Sequence, residues 1–232
     1  MTTAKPNRTP EILIALSAAA GMALLARELD FQCPTPLDRR VRESTRPLRA
    51  IGAREALVPM FALGLPGGYI TIAHLTAHWL RRRDARGGSA IVSSAWLGWL
   101  VHRAAKLVYS RERPPSPRVR GRTDSYPSGH TTGATALALT TALVLDRQGL
   151  VSRNGARVIA IGAPLAMGAY RVIDDEHWIT DVIGGWLLGS AIGIGCDVAL
   201  GDARPRRLRR AREASTKSAR RRVRRASATF PG

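Results

Sequence analysis

The stretch YPSGHTTGATALALTTALVL, Tyr126 to Leu145, decides the fold. Its opening residues are those of a helix start. Pro127 favours helix initiation, Ser128 can cap, and Gly129 lets a bound group approach the backbone. His130 is thereby held at a helix N-terminus. Free N–H groups, a hydroxyl and an imidazole then converge, an arrangement suited to an anionic oxygen group such as phosphate. From Thr131 to Leu145 the residues are small or apolar without a charge, which predicts a buried or membrane-spanning helix.

Further apolar stretches flank this one, separated by short and very basic loops. Residues 12–26, 56–80, 89–109, 158–172 and 177–200 read with 129–145 as six spans, so the expected fold class is an all-α, six-helix transmembrane bundle. Residues 12–26 have the basic start and short apolar core of a signal peptide. No small-x-small cleavage site precedes Arg27, so an uncleaved first span is expected. Pro59 and Pro66-Gly67-Gly68 interrupt the second span, as neighbouring helices can allow. Residues 31–55 are amphipathic and basic and predict an interfacial helix around Leu37 to Leu48. Gly185, Gly189 and Gly193 recur every fourth residue, giving span six a bare face for close packing. Gly162 and Ala166 on span five are its expected partner. Cys33 and Cys196 stand in unlike contexts, which argues against a disulfide between them.

The chain divides into a polar N-terminus (1–10), the membrane domain (11–202) and a basic tail (203–232). The formal charge of +19 over 232 residues points to anionic partners. The tail is arginine among small residues with no apolar periodicity, and reads as a solvated segment attracted to anionic lipid headgroups at about 1 kcal/mol per basic residue near the surface. Nucleic acid is a poor partner for a tail without interleaved aromatics fused to membrane spans. Six spans put both termini on one side. The tail and Arg81-Arg82-Arg83 mark that side as cytoplasmic, although Arg39, Arg40, Arg42, Arg118, Arg120 and Arg122 then fall outside.

With that topology, three polar groups share the outer end of the bundle. Lys106 and Arg113 come at the end of span three, two turns apart if its helix persists to Pro114. Ser128, Gly129 and His130 open span four. Arg171 closes span five, while His177 and Asp181 open span six at i and i+4. That spacing lets the aspartate accept the imidazole Nδ1–H and leave Nε2 as a nucleophile. Each group alone has a plain structural reading: an interfacial histidine, a topology-marking arginine, a helix cap. In this order and on one face they are much harder to produce by chance.

The trio Lys106-x6-Arg113-Pro114, Pro127-Ser128-Gly129-His130 and Arg171-x5-His177-x3-Asp181 resembles the signature of the type 2 phosphatidic acid phosphatase family, related to lipid phosphate phosphatases and vanadium haloperoxidases. The resemblance covers about Ser89 to Leu200. One position departs: Tyr170 stands where the family has serine. The resemblance implies that His177 attacks phosphorus to form a phosphohistidine, that Asp181 orients and charge-balances it, and that His130 protonates the leaving oxygen and then activates water. Lys106, Arg113, Arg171, Ser128 and the Gly129 N–H would hold the phosphoryl oxygens, with no metal or cofactor. The implied function is hydrolysis of a lipid phosphate or pyrophosphate (polyprenyl pyrophosphate, phosphatidic acid or lipid-linked sugar phosphate) at the outer interface of the cell membrane. The alternative is a non-catalytic membrane protein that binds acidic lipid or a partner through its tail. The acidic run Asp174-Asp175-Glu176 admits three readings: it points away, pairs with arginines, or raises the basicity of His177.

Overall fold

The structure, a computed structural model, describes residues 7–51, 58–116 and 121–201. The basic tail therefore lies outside the described residues. Those described form helices and loops without a named strand, apart from one isolated bridge between Arg111 and Asp124. The helices are α1 (Thr9–Glu28), α2 (Pro36–Ser44), α3 (Arg46–Ala50), α4 (Val58–Gly64), α5 (Pro66–Leu80), α6 (Ala85–Val108), α7 (Gly129–Arg147), α8 (Arg153–Arg157), α9 (Ala163–Ile173) and α10 (Ile179–Leu200).

Among the described residues, three helical segments are long and apolar enough to cross a membrane: Thr9–Glu28, Arg153–Ile173 and Ile179–Leu200. α1 buries Ala18, Met22 and Ala26 and leaves Ile12, Leu13, Ile14, Leu16 and Leu24 exposed, the surface expected of a helix facing lipid. α7 lies against α6, α9 and α10 and buries Thr131, Thr132, Thr135 and Thr140. Enclosed by other helices, it can carry threonines whose hydroxyls donate to the carbonyl one turn back, as Thr135 does to Thr131 at 2.7 Å.

Two expected spans take a different local form. Residues 56–80 were expected as one interrupted helix. Their described part is two helices that break at Leu65, whose ψ of 149° is the extended conformation favoured before proline. The fifth span begins at Arg153 and passes through a π-helical turn, Val158–Gly162, ahead of Pro164. The wider turn absorbs the hydrogen bond that the proline cannot donate.

The bare face of α10 packs on a helix other than the expected one. A methyl group at Gly189 would stand 2.6 Å from the Thr132 carbonyl oxygen of α7, and one at Gly193 would stand 2.8 Å from that of Ala136. Thr140 Oγ1 donates to the Gly193 carbonyl at 2.9 Å across the same contact. Gly162 meets only Val158 of its own helix, at 3.9 Å. Close approach needs short side chains on both helices, and α7 supplies them along its whole length. At the far end of this pair, Asp197 of α10 binds Arg147 of α7 at 2.7 Å and Arg8 ahead of α1 at 3.0 Å. Cys33 and Cys196 are both free thiols.

Candidate active site

At the other end of the bundle, the C-terminus of α6 and the N-termini of α7 and α10 meet. The turn before α7 is held by the Ser128 N–H, which donates to the Asp181 carbonyl at 3.1 Å. Ser128 is fully buried, and its hydroxyl accepts from Thr131 Oγ1 at 3.0 Å rather than capping the helix. His102, one turn before Lys106, packs on this turn. Its Nδ1 bonds the Gly98 carbonyl at 2.9 Å. A carbonyl can only accept, so the proton sits on Nδ1 and Nε2 faces Gly129. A methyl group at Gly129 would lie 2.6 Å from that Nε2, which is why this position takes glycine.

These elements enclose a cavity of about 310 Å³ lined by Lys106, Arg113, Gly129, His130, Arg171 and His177, with His102, Arg103, Arg122, Asp124 and Glu176 also on its wall. Both imidazoles therefore face one space. Of the eight residues expected from sequence, six line it. Ser128 and Asp181 stand behind the wall and support it. Lys106 stands on the last turn of α6 as expected, whereas Arg113 reaches the cavity by a different route. α6 ends at Val108, and Arg113 sits in the following loop. That loop is pinned by its own backbone, with Arg113 N–H donating to the Arg122 carbonyl at 3.0 Å and Ser125 N–H to that of Arg111 at 3.0 Å.

Lys106, Arg113, Arg122 and Arg171 each have a carboxylate nearby. Asp124 accepts from Arg113 Nε at 2.9 Å and from Arg122 at 2.7 Å, and Lys106 Nζ donates to its backbone carbonyl. Burial alone would raise the pKa of Asp124; the two guanidinium groups outweigh it and hold the carboxyl below its usual range, so it stays ionised. Glu176 bridges Arg113, at 3.3 Å, and Arg171. Asp174 pairs with Arg171 at 3.3 Å. Asp175 takes both ends of Arg42 from α2, at 2.8 and 2.9 Å. Of the three readings of the acidic run, pairing with arginines is the one the structure realises. Asp175 has a φ of +57°, a left-handed conformation that aspartate tolerates better than most residues. Tyr170 is buried beside the site, with the Arg171 guanidinium 5.5 Å from its ring.

His177 is 3% exposed, and its Nδ1 stands 3.5 Å from Asp181 Oδ2. Burial first, then the charges of Arg113, Arg171, Lys106 and His130, hold the imidazole well below the usual histidine pKa. It is thus neutral at pH 7, with a lone pair on one nitrogen. Asp181 is itself fixed by the Trp178 N–H at 2.8 Å, by the Ser125 hydroxyl, and by Arg111 at 2.7 Å. Arg111, Ser125 and Asp38 were missed from sequence. Nothing in their spacing marks them, because their partners lie far away in the chain. Among the described residues no group of three or more His, Cys, Asp or Glu side chains is placed to hold a metal ion.

Among the described residues, an all-helical architecture with long apolar helices, and with two histidines and a set of cations around one cavity at the bundle end, defines a class: a membrane protein with a cation-lined cavity. The sequence profile of the PAP2 superfamily matches residues 87–205, from the start of α6 past the end of α10. The chain belongs to that superfamily. The fold is similar to the crystal structure of a transmembrane PAP2-type phosphatidylglycerolphosphate phosphatase from Bacillus subtilis, with 20% identity, a TM-score of 0.65, and coverage of 80% of this chain and 94% of that one. No curated protein sequence matches the chain.

Proposed function

We propose that this chain is an integral-membrane phosphatase that hydrolyses a lipid phosphate or pyrophosphate through a phosphohistidine. The observation that carries the reading is the single cavity shared by His130, His177, Lys106, Arg113 and Arg171. His177 Nε2 attacks phosphorus, and the bond from phosphorus to the leaving oxygen breaks. His130 gives that oxygen its proton, then takes one from water, which attacks the phosphohistidine and releases inorganic phosphate. Lys106, Arg113 and Arg171 hold the phosphoryl oxygens; one such donor is typically worth about 10²–10³ in rate. Arg171 Nε is a buried N–H without a hydrogen-bond partner, a donor that an anion in this cavity would satisfy.

Glu176 occupies Arg113 and Arg171 in this structure, so the phosphoryl group enters by displacing a carboxylate from them. A lipid-anchored substrate accounts for placing the cavity at one end of a bundle with exposed apolar flanks, and the six-span topology with this end facing outward belongs to the same proposal. The test is phosphate release by purified protein from a panel of lipid phosphates and pyrophosphates. Wild type is expected to turn over at least one of them and to be inhibited by vanadate, and His177→Ala is expected to abolish turnover while still folding. Full activity in that variant rules the mechanism out. No turnover by wild type on any of the panel leaves binding through the tail as the reading.

A further inference from the structure

Behind the cavity lies a buried cluster of charges that the reaction above does not use. Arg111 is 1% exposed and bridges two carboxylates, Asp38 of α2 and Asp181 of α10, each at 2.7 Å. Its Nη1 also donates to Thr180 Oγ1 at 2.6 Å. Asp38 is 1% exposed as well. Its Oδ2 accepts from the Thr35 N–H at 3.0 Å and the Thr35 hydroxyl at 2.9 Å, closing the capping box of α2. Its Oδ1 accepts from the Thr180 N–H at 3.1 Å and the Thr180 hydroxyl at 2.8 Å. One carboxylate thus closes the N-terminus of its own helix and that of α10, the helix whose first turns follow His177.

The charge count of the cluster gives it a consequence for chemistry. One guanidinium against two carboxylates, +1 − 2, leaves a formal charge of −1 among side chains that are no more than 1% exposed. Arg111 alone would neutralise Asp181 and leave little field for a developing imidazolium. Asp38 restores one negative charge. Arg111 engages Asp181 through Oδ1, so Oδ2 is the oxygen turned toward His177 Nδ1. Neither Asp38 nor Arg111 lines the phosphoryl cavity, and Asp38 lies outside the segment matched by the superfamily profile.

We propose that Asp38 and Arg111 are positioning residues for the nucleophile: together they aim Asp181 at His177 and supply the buried negative charge that stabilises the cationic imidazole of the phosphoenzyme, which makes α2 part of the catalytic unit. This rests on the phosphatase reading. Asp38 acts through Arg111 and Asp181 and never touches the substrate, so its loss is read in kcat and not in binding.

The experiment measures kcat and KM on a lipid phosphate, vanadate inhibition and thermal unfolding for full-length wild type, Asp38→Asn, Arg111→Gln and the double variant. Asp38→Asn is expected to lower kcat about 10- to 100-fold, with KM and vanadate inhibition within about twofold of wild type, the range of a single buried charge near a reacting group. The double variant, which again leaves Asp181 as the uncompensated charge, is expected to be faster than Asp38→Asn alone, so the effects are non-additive. If Asp38→Asn does not fold, Thr180→Val decides: it removes the hydroxyl shared by Arg111 and Asp38, and a loss of about threefold or more in kcat at unchanged KM supports the proposal. Asp38→Asn with wild-type kcat, strictly additive effects, or Thr180→Val with wild-type kcat each overturn it. Wild-type protein without turnover instead ends the phosphatase reading, a separate outcome.

Discussion

The two ends of the bundle each bury a three-charge cluster, and the clusters have opposite sign. At the far end Asp197 faces Arg8 and Arg147, one carboxylate between two guanidinium groups. At the site end Arg111 faces Asp38 and Asp181, one guanidinium between two carboxylates. The first ties α1, α7 and α10 together at the end of the bundle away from both site histidines. The second sits directly behind a neutral histidine. Burying unequal charge is costly, and at the site end the excess faces His177, the group that becomes cationic under the proposed reaction. The same device thus serves as a staple at one end and, in the proposal above, as an electrostatic support at the other.

Substituting one carboxylate in each cluster separates the two roles. Asp181→Asn is expected to lower kcat about 10⁴-fold, comparable to loss of the aspartate in a catalytic triad, with a smaller effect on the unfolding temperature; turnover and thermal unfolding in detergent check both. Asp197→Asn is expected to do the reverse, lowering stability by about 3 kcal/mol because two guanidinium groups lose their partner, while kcat per folded molecule stays at the wild-type value. Equal loss of activity in both would erase the distinction between the ends.

Between the ends runs the α7–α10 seam. Gly189→Ala puts a methyl group against the Thr132 carbonyl and is expected to cost about 1–3 kcal/mol of stability, the usual range for overpacking. At the site itself, Glu176→Gln frees Arg113 and Arg171 of a competing carboxylate, and vanadate is expected to bind about tenfold more tightly, about 1.4 kcal/mol. Tighter inhibition measured by titration supports Glu176 as an occupant of the anion site; weaker inhibition opposes it.

The smallest effect is on pH. Because the His177 pKa is lowered by burial and then by Arg113 and Arg171, the imidazole takes up a proton only below the ordinary value of about 6.5. Protonation removes the nucleophile, so the acid limb of kcat/KM is expected below pH 6.5. Arg113→Gln removes one repelling charge, raises that pKa, and moves the limb upward. A limb that stays put or moves down would show that Arg113 does not act on His177.

The cavity's own residues were legible because they sit in short local patterns: His130 one residue into α7, His177 and Asp181 one turn apart at the start of α10, Lys106 near the end of α6. The route by which Arg113 arrives was not, since the helix stops at Val108 and the loop is closed by its pairing with Arg122. The partner of the glycine face was not either. Gly162 looked suitable by spacing, yet α7 presents the longer row of small side chains. Nor did anything near Asp38 announce that its carboxylate reaches Thr180 and Arg111 across most of the chain.

Sequence alone determined the all-helical character, the two histidines, the three cations and the end of the bundle where they gather, because periodicity and helix termini are local properties. Which helices touch, which carboxylates occupy those cations, and the net sign of the charge behind His177 were decided only by tertiary structure. Electrostatic energy depends on distance and burial, and neither is a function of position along the chain.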